Sequence, residues 1–234
     1  MRVKLPAQVP FVLADAESRS LHFSIYQLQS RMLVSEPNDL EVDYTRTMMG
    51  FLLLNRHPKH IAMIGLGGGS LAKFCRHSLP ESNFTAIEVN PHVIALRDEF
   101  LIPEEGDQFR VIEADGADYM QGTTGTIDVL LIDGFDYQGQ PPQLSSQKFY
   151  VDCKRALAPS GVMVINFHET HPLYETFIDR LDRIFAGNIV EVSVNDDGNV
   201  IVFASSDVKI SPASLRGEVQ AACSDWSAWM VQNA

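Results

Sequence analysis

Cysteine is scarce in this chain. Cys75, Cys153 and Cys223 are widely spaced and no two form a CxxC pair, which argues against a disulfide framework or a zinc knuckle and fits a reducing cytoplasm. Basic residues are also short. Eighteen Lys and Arg face 30 Asp and Glu, a net charge of −12 over 234 residues. A non-specific nucleic-acid binder needs a basic face to displace counterions, so no nucleic-acid partner is expected; a small cationic partner fits the balance. Long apolar runs are missing, and the longest, near 48–54, is far too short to span a bilayer. No membrane partner is therefore expected. The start has a basic tip and an Ala14-Asp15-Ala16 that mimics a cleavage site. Pro6 and Pro10 interrupt it and no apolar stretch precedes that site, so it reads as mature protein. Internal repeats and low-complexity tracts are absent.

What is present is an ordinary globular composition, 45% hydrophobic and 21% charged. The length suits one large domain, or one domain with a small appendage. Residues 1–42 carry short β-like runs at 11–13, 21–28 and 32–34, a small N-terminal β region. Leu21, Phe23 and Ile25 alternate with His22 and Ser24, as in a half-buried strand. Residues 43–234 change to alternating helix and strand. The spacing predicts helices over 44–55, 70–77, 91–100, 146–157 and 174–185, and a terminal one from Pro212 to about 230. Strands are expected over 61–64, 84–88, 109–112, 127–132, 162–167, 189–194 and 200–204. Their continuous Val/Ile/Leu runs mean burial on both faces, hence a parallel sheet covered by helices. The last two runs are joined by Asn195-Asp196-Asp197-Gly198-Asn199, a hairpin that makes the final strand antiparallel. The layout is similar to that of the class I S-adenosylmethionine-dependent transferases, whereas a dinucleotide-binding fold would end on another parallel strand.

The chemistry-bearing residues follow the strands. Gly65-Leu66-Gly67-Gly68-Gly69 ends the first of them and opens a helix. Glycines there allow positive φ and close approach of backbone to a ligand. Ser70 stands where GxGxxG needs glycine, so GxGxG at Gly65, Gly67 and Gly69 fits better, suiting a nucleoside with an amino-acid or aminopropyl tail; a tight turn is the plainer reading. Glu88 ends the next strand, where a carboxylate accepts both ribose hydroxyls; a solvent-facing charge is the alternative. Asp115, followed by Gly116, can accept from an adenine amino group while the glycine leaves room for the ring; otherwise it is an Asp-Gly turn. Asp133 and Asp136 follow the fourth strand of the series. Two carboxylates at the carboxyl end of a buried strand can hold a cation, and one can take a proton from an attacking ammonium. A capped loop is the bland version of the same residues. His168 and His171 match no strong metal signature and read as a loop-edge pair, so no metal is expected. Trp226, Trp229 and Met230 read as packing.

Taken together, these pieces resemble spermidine synthase and related polyamine aminopropyltransferases over 29–205. The matches are Gln29-Ser30, Tyr44, Ile64 through Gly69, Ile87-Glu88-Val89-Asn90-Pro91, Ala114-Asp115-Gly116, Ile132-Asp133 with Asp136, Phe149-Tyr150 with Cys153, and Leu157-Ala158-Pro159-Ser160-Gly161. The resemblance implies a Rossmann-like α/β fold with a mostly parallel seven-stranded sheet ending in an antiparallel hairpin. It implies decarboxylated S-adenosylmethionine as donor, a diamine as acceptor, methylthioadenosine as product, and a homodimer. By the same resemblance Glu88 holds the ribose, Asp115 the adenine amine, Asp133 and Asp136 face the reacting centre with Asp136 as base, and Gln29 and Tyr44 reach donor or amine from the lid side.

The chain departs from the family in places. The family's GGGDGG loop is here one residue shorter and lacks its aspartate; Arg46 stands where an acid is usual; Tyr137 replaces a proline. Two other readings therefore stay open. One is a methyltransferase using S-adenosylmethionine itself, with Arg46 or the glycine-loop amides meeting the donor carboxylate. The other is a non-catalytic nucleoside-binding protein. An NAD-dependent oxidoreductase is disfavoured by Ser70 and the hairpin.

Overall fold

A computed structural model describes residues 7–25, 27–135, 139–194 and 198–233. Its N-terminal strands β1 (Phe11–Ala14), β2 (Ser18–Ser24) and β3 (Gln27–Leu33) form an antiparallel meander. Then come α1 (Asp43–Met48), β4 (His60–Ile64), α2 (Ser70–Ser78), β5 (Asn83–Glu88), α3 (Pro91–Ile94), β6 (Phe109–Glu113), α4 (Gly116–Gly122) and β7 (Ile127–Ile132). They are followed by α5 (Gln147–Ala156), β8 (Leu157–His168), α6 (Tyr174–Ile184), β9 (Ile189–Ser193), β10 (Asn199–Ser205), α7 (Pro212–Ala222) and α8 (Trp226–Gln232). Among the described residues the second sheet has seven strands in the order β6-β5-β4-β7-β8-β10-β9. β4 through β8 pair in parallel, while β10 is antiparallel to both β8 and β9. This is the fold class expected from the apolar runs and the hairpin.

Period-two alternation within those runs builds a core on each side of the sheet. Ile61, Met63, Val129, Leu131, Val162 and Val164 face one layer. Ala62, Ile64, Leu130, Ile132, Met163 and Ile165 face the other. Leu21 and Met32 of the meander join the first layer, so the small sheet is packed onto the body.

Several expected elements differ. The helix expected over 44–55 is α only to Met48 and continues as a 3-10 turn over Met49–Leu53. Gly50 sits in that turn against Val219 and Phe203. The helix expected over 91–100 ends at Ile94, and turns carry the chain to Leu101, which adopts a φ of 54°. The terminal helix is two helices, the second restarted by Asp225, which accepts from the Ala228 N–H at 2.8 Å. β8 starts at Leu157, running through Pro159 before its buried part. In the meander, Ile25 is 74% exposed at a turn between β2 and β3, which splits the run expected over 21–28. Trp226 is buried and donates from Nε1 to the Arg46 carbonyl at 2.7 Å, the packing role expected of it. No helix among the described residues is long and apolar enough to cross a membrane.

A Cβ on Gly50 would stand 2.7 Å from Val219 Cγ2 and 2.8 Å from Phe203 Cζ. Gly50→Ala is therefore expected to cost about 1–3 kcal/mol by overpacking. Urea unfolding will show it as a lowered midpoint at unchanged slope.

Candidate active site

Gly65, Glu88, Asp115 and Asp133 all lie at or just past the ends of their strands. β4 has β5 on one side and β7 on the other, so the chain switches direction of travel across the sheet there, and ligands of open α/β sheets bind outside such a point. Gly65 donates to the Ile87 carbonyl and Asp133 donates to the Ile64 carbonyl, both at 2.9 Å, which seats the two loops side by side. Gly65, Gly67 and Gly69 have φ of 92°, 54° and 69°. A Cβ on Gly65 would stand 2.3 Å from the Asp133 carbonyl oxygen, so glycine is required there for space as well as for φ.

Glu88 ends β5 and is buried. Its Oε2 accepts from the Leu66 N–H and its Oε1 from the Asn90 N–H, each at 2.8 Å. The carboxylate thus ties the glycine loop to the start of α3 and keeps a lone pair on each oxygen. Burial pushes its carboxyl up, opposed by those backbone hydrogen bonds. Asp115 caps α4 through Oδ1, which accepts from Ala117 N–H at 2.8 Å. The expected turn role is therefore present, and Oδ2 faces no hydrogen-bond donor among the described residues. The side-chain space beside Gly116 is filled by Ile64, whose Cγ2 would stand 2.5 Å from a Cβ, so the glycine first serves to start α4 against β4.

Asp133 is held from two directions. Tyr44 on α1 donates its phenol to Oδ2 at 3.0 Å, and Asn166 on β8 donates from Nδ2 to Oδ1 at 2.9 Å. Removal from water pushes the Asp133 carboxyl up, and the two donors pull it back. Burial, then the nearby Asp133 charge, raise the Tyr44 phenol well above its ordinary range, so it stays a donor. Asp136 lies outside the described residues.

β3 lies over the glycine loop. Ser30 Oγ is 3.2 Å from Ser70 Oγ, and a Cβ on Gly68 would meet both Ser30 and Phe100. Gln29, beside Ser30, is the extra residue of a β-bulge: Leu21 pairs with Ser30 and His22 with Leu28. No hydrogen bond joins it to the other candidate residues among those described.

Arg46 does not reach this edge. Two residues beyond Tyr44 on α1 is about 200° around the helix. Its Nε donates to the Leu40 carbonyl at 2.5 Å and its guanidinium pairs with Asp43 at 3.2 Å. The expectation that it could meet a donor carboxylate is corrected by that geometry. Lys73 is buried beneath the glycine loop, its Nζ donating to the Phe100 carbonyl at 2.8 Å, and burial holds its ammonium down to about 8. His168 bonds Thr170 and His171 accepts from the Leu173 N–H. Among the described residues no three His, Cys, Asp or Glu gather as a metal site. Asn166, Asn199 and Ser30 were given no role in advance. The available signal was a single polar residue, Asn166, inside the apolar run of β8.

Comparison with known proteins shows the family. The spermine/spermidine synthase domain model matches residues 41–194. The chain belongs to the spermine/spermidine synthase family. It is 47% identical over 191 residues to the polyamine aminopropyltransferase of Chromobacterium violaceum, covering 81% of this chain and 73% of that one. It is 42% identical over 192 residues to that of Neisseria meningitidis, with the same coverage. In fold it is similar to a probable spermidine synthase from Corynebacterium glutamicum, with a TM-score of 0.77 at 19% identity over 91% of this chain and 82% of that one. It is also similar to human methyltransferase-like protein 13 in complex with SAH, with a TM-score of 0.69 at 23% identity over 82% and 93%.

Two outcomes are expected from this geometry. Gly65→Ala places a methyl against the Asp133 backbone at an unfavourable φ, costing about 1–3 kcal/mol and weakening nucleoside binding in calorimetry. A carboxylate accepts from two hydroxyls best when ionised, and the Glu88 carboxyl is raised by burial. Methylthioadenosine affinity should therefore fall as the pH is lowered, beginning above the range of an ordinary glutamate. Glu88→Gln should remove that pH dependence along with most of the affinity.

Proposed function

We propose that this chain transfers an aminopropyl group from decarboxylated S-adenosylmethionine to a diamine. The observation that carries the choice of donor is electrostatic. Glu88, Asp115 and Asp133 gather at the carboxyl edge of the sheet, and among the described residues no Lys or Arg pairs with any of them. A donor that still carried its carboxylate would bring it to the tail side of the nucleoside, toward Asp133, with Arg46 turned away to Leu40 and Asp43. A decarboxylated donor and a cationic amine both suit that field.

In this reading Glu88 takes the ribose hydroxyls and Asp115 the adenine amino group. The glycine loop admits the nucleoside closely, with Gln29 on β3 and Tyr44 on α1 closing it from the lid side. The acceptor arrives as an ammonium drawn to Asp133 and loses a proton to a carboxylate, with Asp136 as the base implied by the family. The freed nitrogen lone pair attacks the methylene carbon next to the sulfonium. The carbon–nitrogen bond forms as the carbon–sulfur bond breaks, its electron pair stays on sulfur, and neutral methylthioadenosine leaves. Alignment of nitrogen, carbon and sulfur supplies much of the rate.

The same reading takes residues 43–234 as the donor-binding unit and 1–42 as its lid side. It also takes the protein as a cytoplasmic homodimer that needs no metal. Buried Cys75 and Cys153, with thiols pushed up by burial, are consistent with a reducing compartment. Exposed Phe11, Leu13 and Leu28 on the small sheet are consistent with a subunit contact.

Incubation with putrescine and each donor in turn tests the proposal. Methylthioadenosine should form from the decarboxylated donor, and Asp133→Asn should lower kcat/KM by on the order of 10²–10⁴. S-adenosylhomocysteine formed only from S-adenosylmethionine would make the protein a methyltransferase. Nucleoside binding without turnover on any amine would make it a binding protein.

A further inference from the structure

We propose that Asn199 is a positioning residue for this reaction: acting through Asn166, it fixes the orientation in which Asn166 holds the Asp133 carboxylate. The inference rests on the reading of Asp133 given above, and its starting point is a chain of hydrogen bonds linking two strands, the loop after β7 and a helix. Asn199 Nδ2 donates to Asn166 Oδ1 at 2.8 Å; Asn166 Nδ2 donates to Asp133 Oδ1 at 2.9 Å; Tyr44 donates to Asp133 Oδ2 at 3.0 Å.

The chemistry of the groups gives this chain one direction. An ionised carboxylate only accepts, so Asn166 must present its NH₂ end to Asp133. Its carbonyl end then faces Asn199, and a donor is required there. Asn166 is 3% exposed, so water does not readily substitute for that donor. With nothing donating from β10, a turned amide would place its oxygen against the carboxylate, two acceptors facing each other. A half-satisfied buried network of this kind is worse than none. With Asn199 in place, both oxygens of Asp133 are pinned from opposite sides, and each keeps a lone pair for the amine.

The antiparallel hairpin is what makes this possible. Asn199 opens β10 opposite His168, the last residue of β8, and reaches back to Asn166 two residues earlier on that strand. Among the described residues few charged groups face Asp133. α1 contributes Tyr44, β4 and the glycine loop contribute the Gly65 backbone, and β8 contributes Asn166 with His168, which bonds Thr170.

The test replaces the donor while keeping its shape. In Asn199→Leu, the Asp133 carboxyl should titrate about one pH unit higher, because the Asn166 hydrogen bond that favours its ionised form is weakened. The shift is read by ¹³C carboxyl NMR on the substrate-free protein, with the Asp133 signal assigned by its loss in Asp133→Asn. kcat should fall about tenfold, a change of ~1.4 kcal/mol, with the donor KM unchanged. Asn199→Gln, which restores a donor, should recover both. If Asn199→Leu does not fold, Asn199→Ala is expected to shift the titration in the same direction. A residue that only stabilised the hairpin would lower Tm and leave the titration where it was, and that result in a folded variant overturns the inference. Absence of turnover in the wild-type enzyme would instead count against the proposed reaction, because the titration is measured without substrate.

Discussion

The carboxyl edge of the sheet depends on how closely β4 and β7 approach as they end. Gly65 lies so near the Asp133 peptide that a single methyl group would stand 2.3 Å from its carbonyl oxygen. That approach brings the glycine loop against Asp133. The rest of the edge is built around it. Glu88 ties Leu66 to Asn90, Ser30 lies across Gly68, and Ile102 fills the space beside Gly69. A longer loop with side chains at these positions would need β3 and the turns after α3 to move outward.

Charge is arranged on the same plan. The chain carries an excess of acid, yet total charge says little about a site. What matters is that Glu88 and Asp133 are removed from water while remaining hydrogen-bonded, which raises their carboxyls only against an opposing pull. The basic groups beside Tyr44 and below the glycine loop are used elsewhere. Arg46 braces the start of α1, and Lys73 holds the Phe100 carbonyl next to Leu101. The loss of the family's loop aspartate therefore leaves the edge acidic, with Ser30 and Ser70 as the polar groups flanking the loop.

Local regularity was readable wherever one periodicity dominated. The runs at β4, β7 and β8 announced strands buried on both faces, and the hairpin residues announced the antiparallel end. Within the glycine loop, positive φ falls at Gly65, Gly67 and Gly69, as their spacing implied. Boundaries failed where tertiary contacts overrode pattern. α1 tightens into a 3-10 turn where Gly50 packs against Phe203 and Val219, and the bulge at Gln29 breaks the alternation of β3. Asn166 was visible as a lone polar residue in an apolar strand, but nothing local named its partners, Asp133 after β7 and Asn199 on β10.

The sequence alone therefore determined the strand series, the glycine turn, the carboxylates at strand ends and the family, because each is a matter of residue type at short spacing. Tertiary structure decided which of those groups act together. Tyr44 turns toward Asp133 while Arg46, two residues on, turns away, because α1 can present only one face to the sheet. Asn199 meets Asn166 because antiparallel pairing brings residues distant in the chain into register. Such pairings depend on packing across the whole sheet, and no window of neighbouring residues contains them.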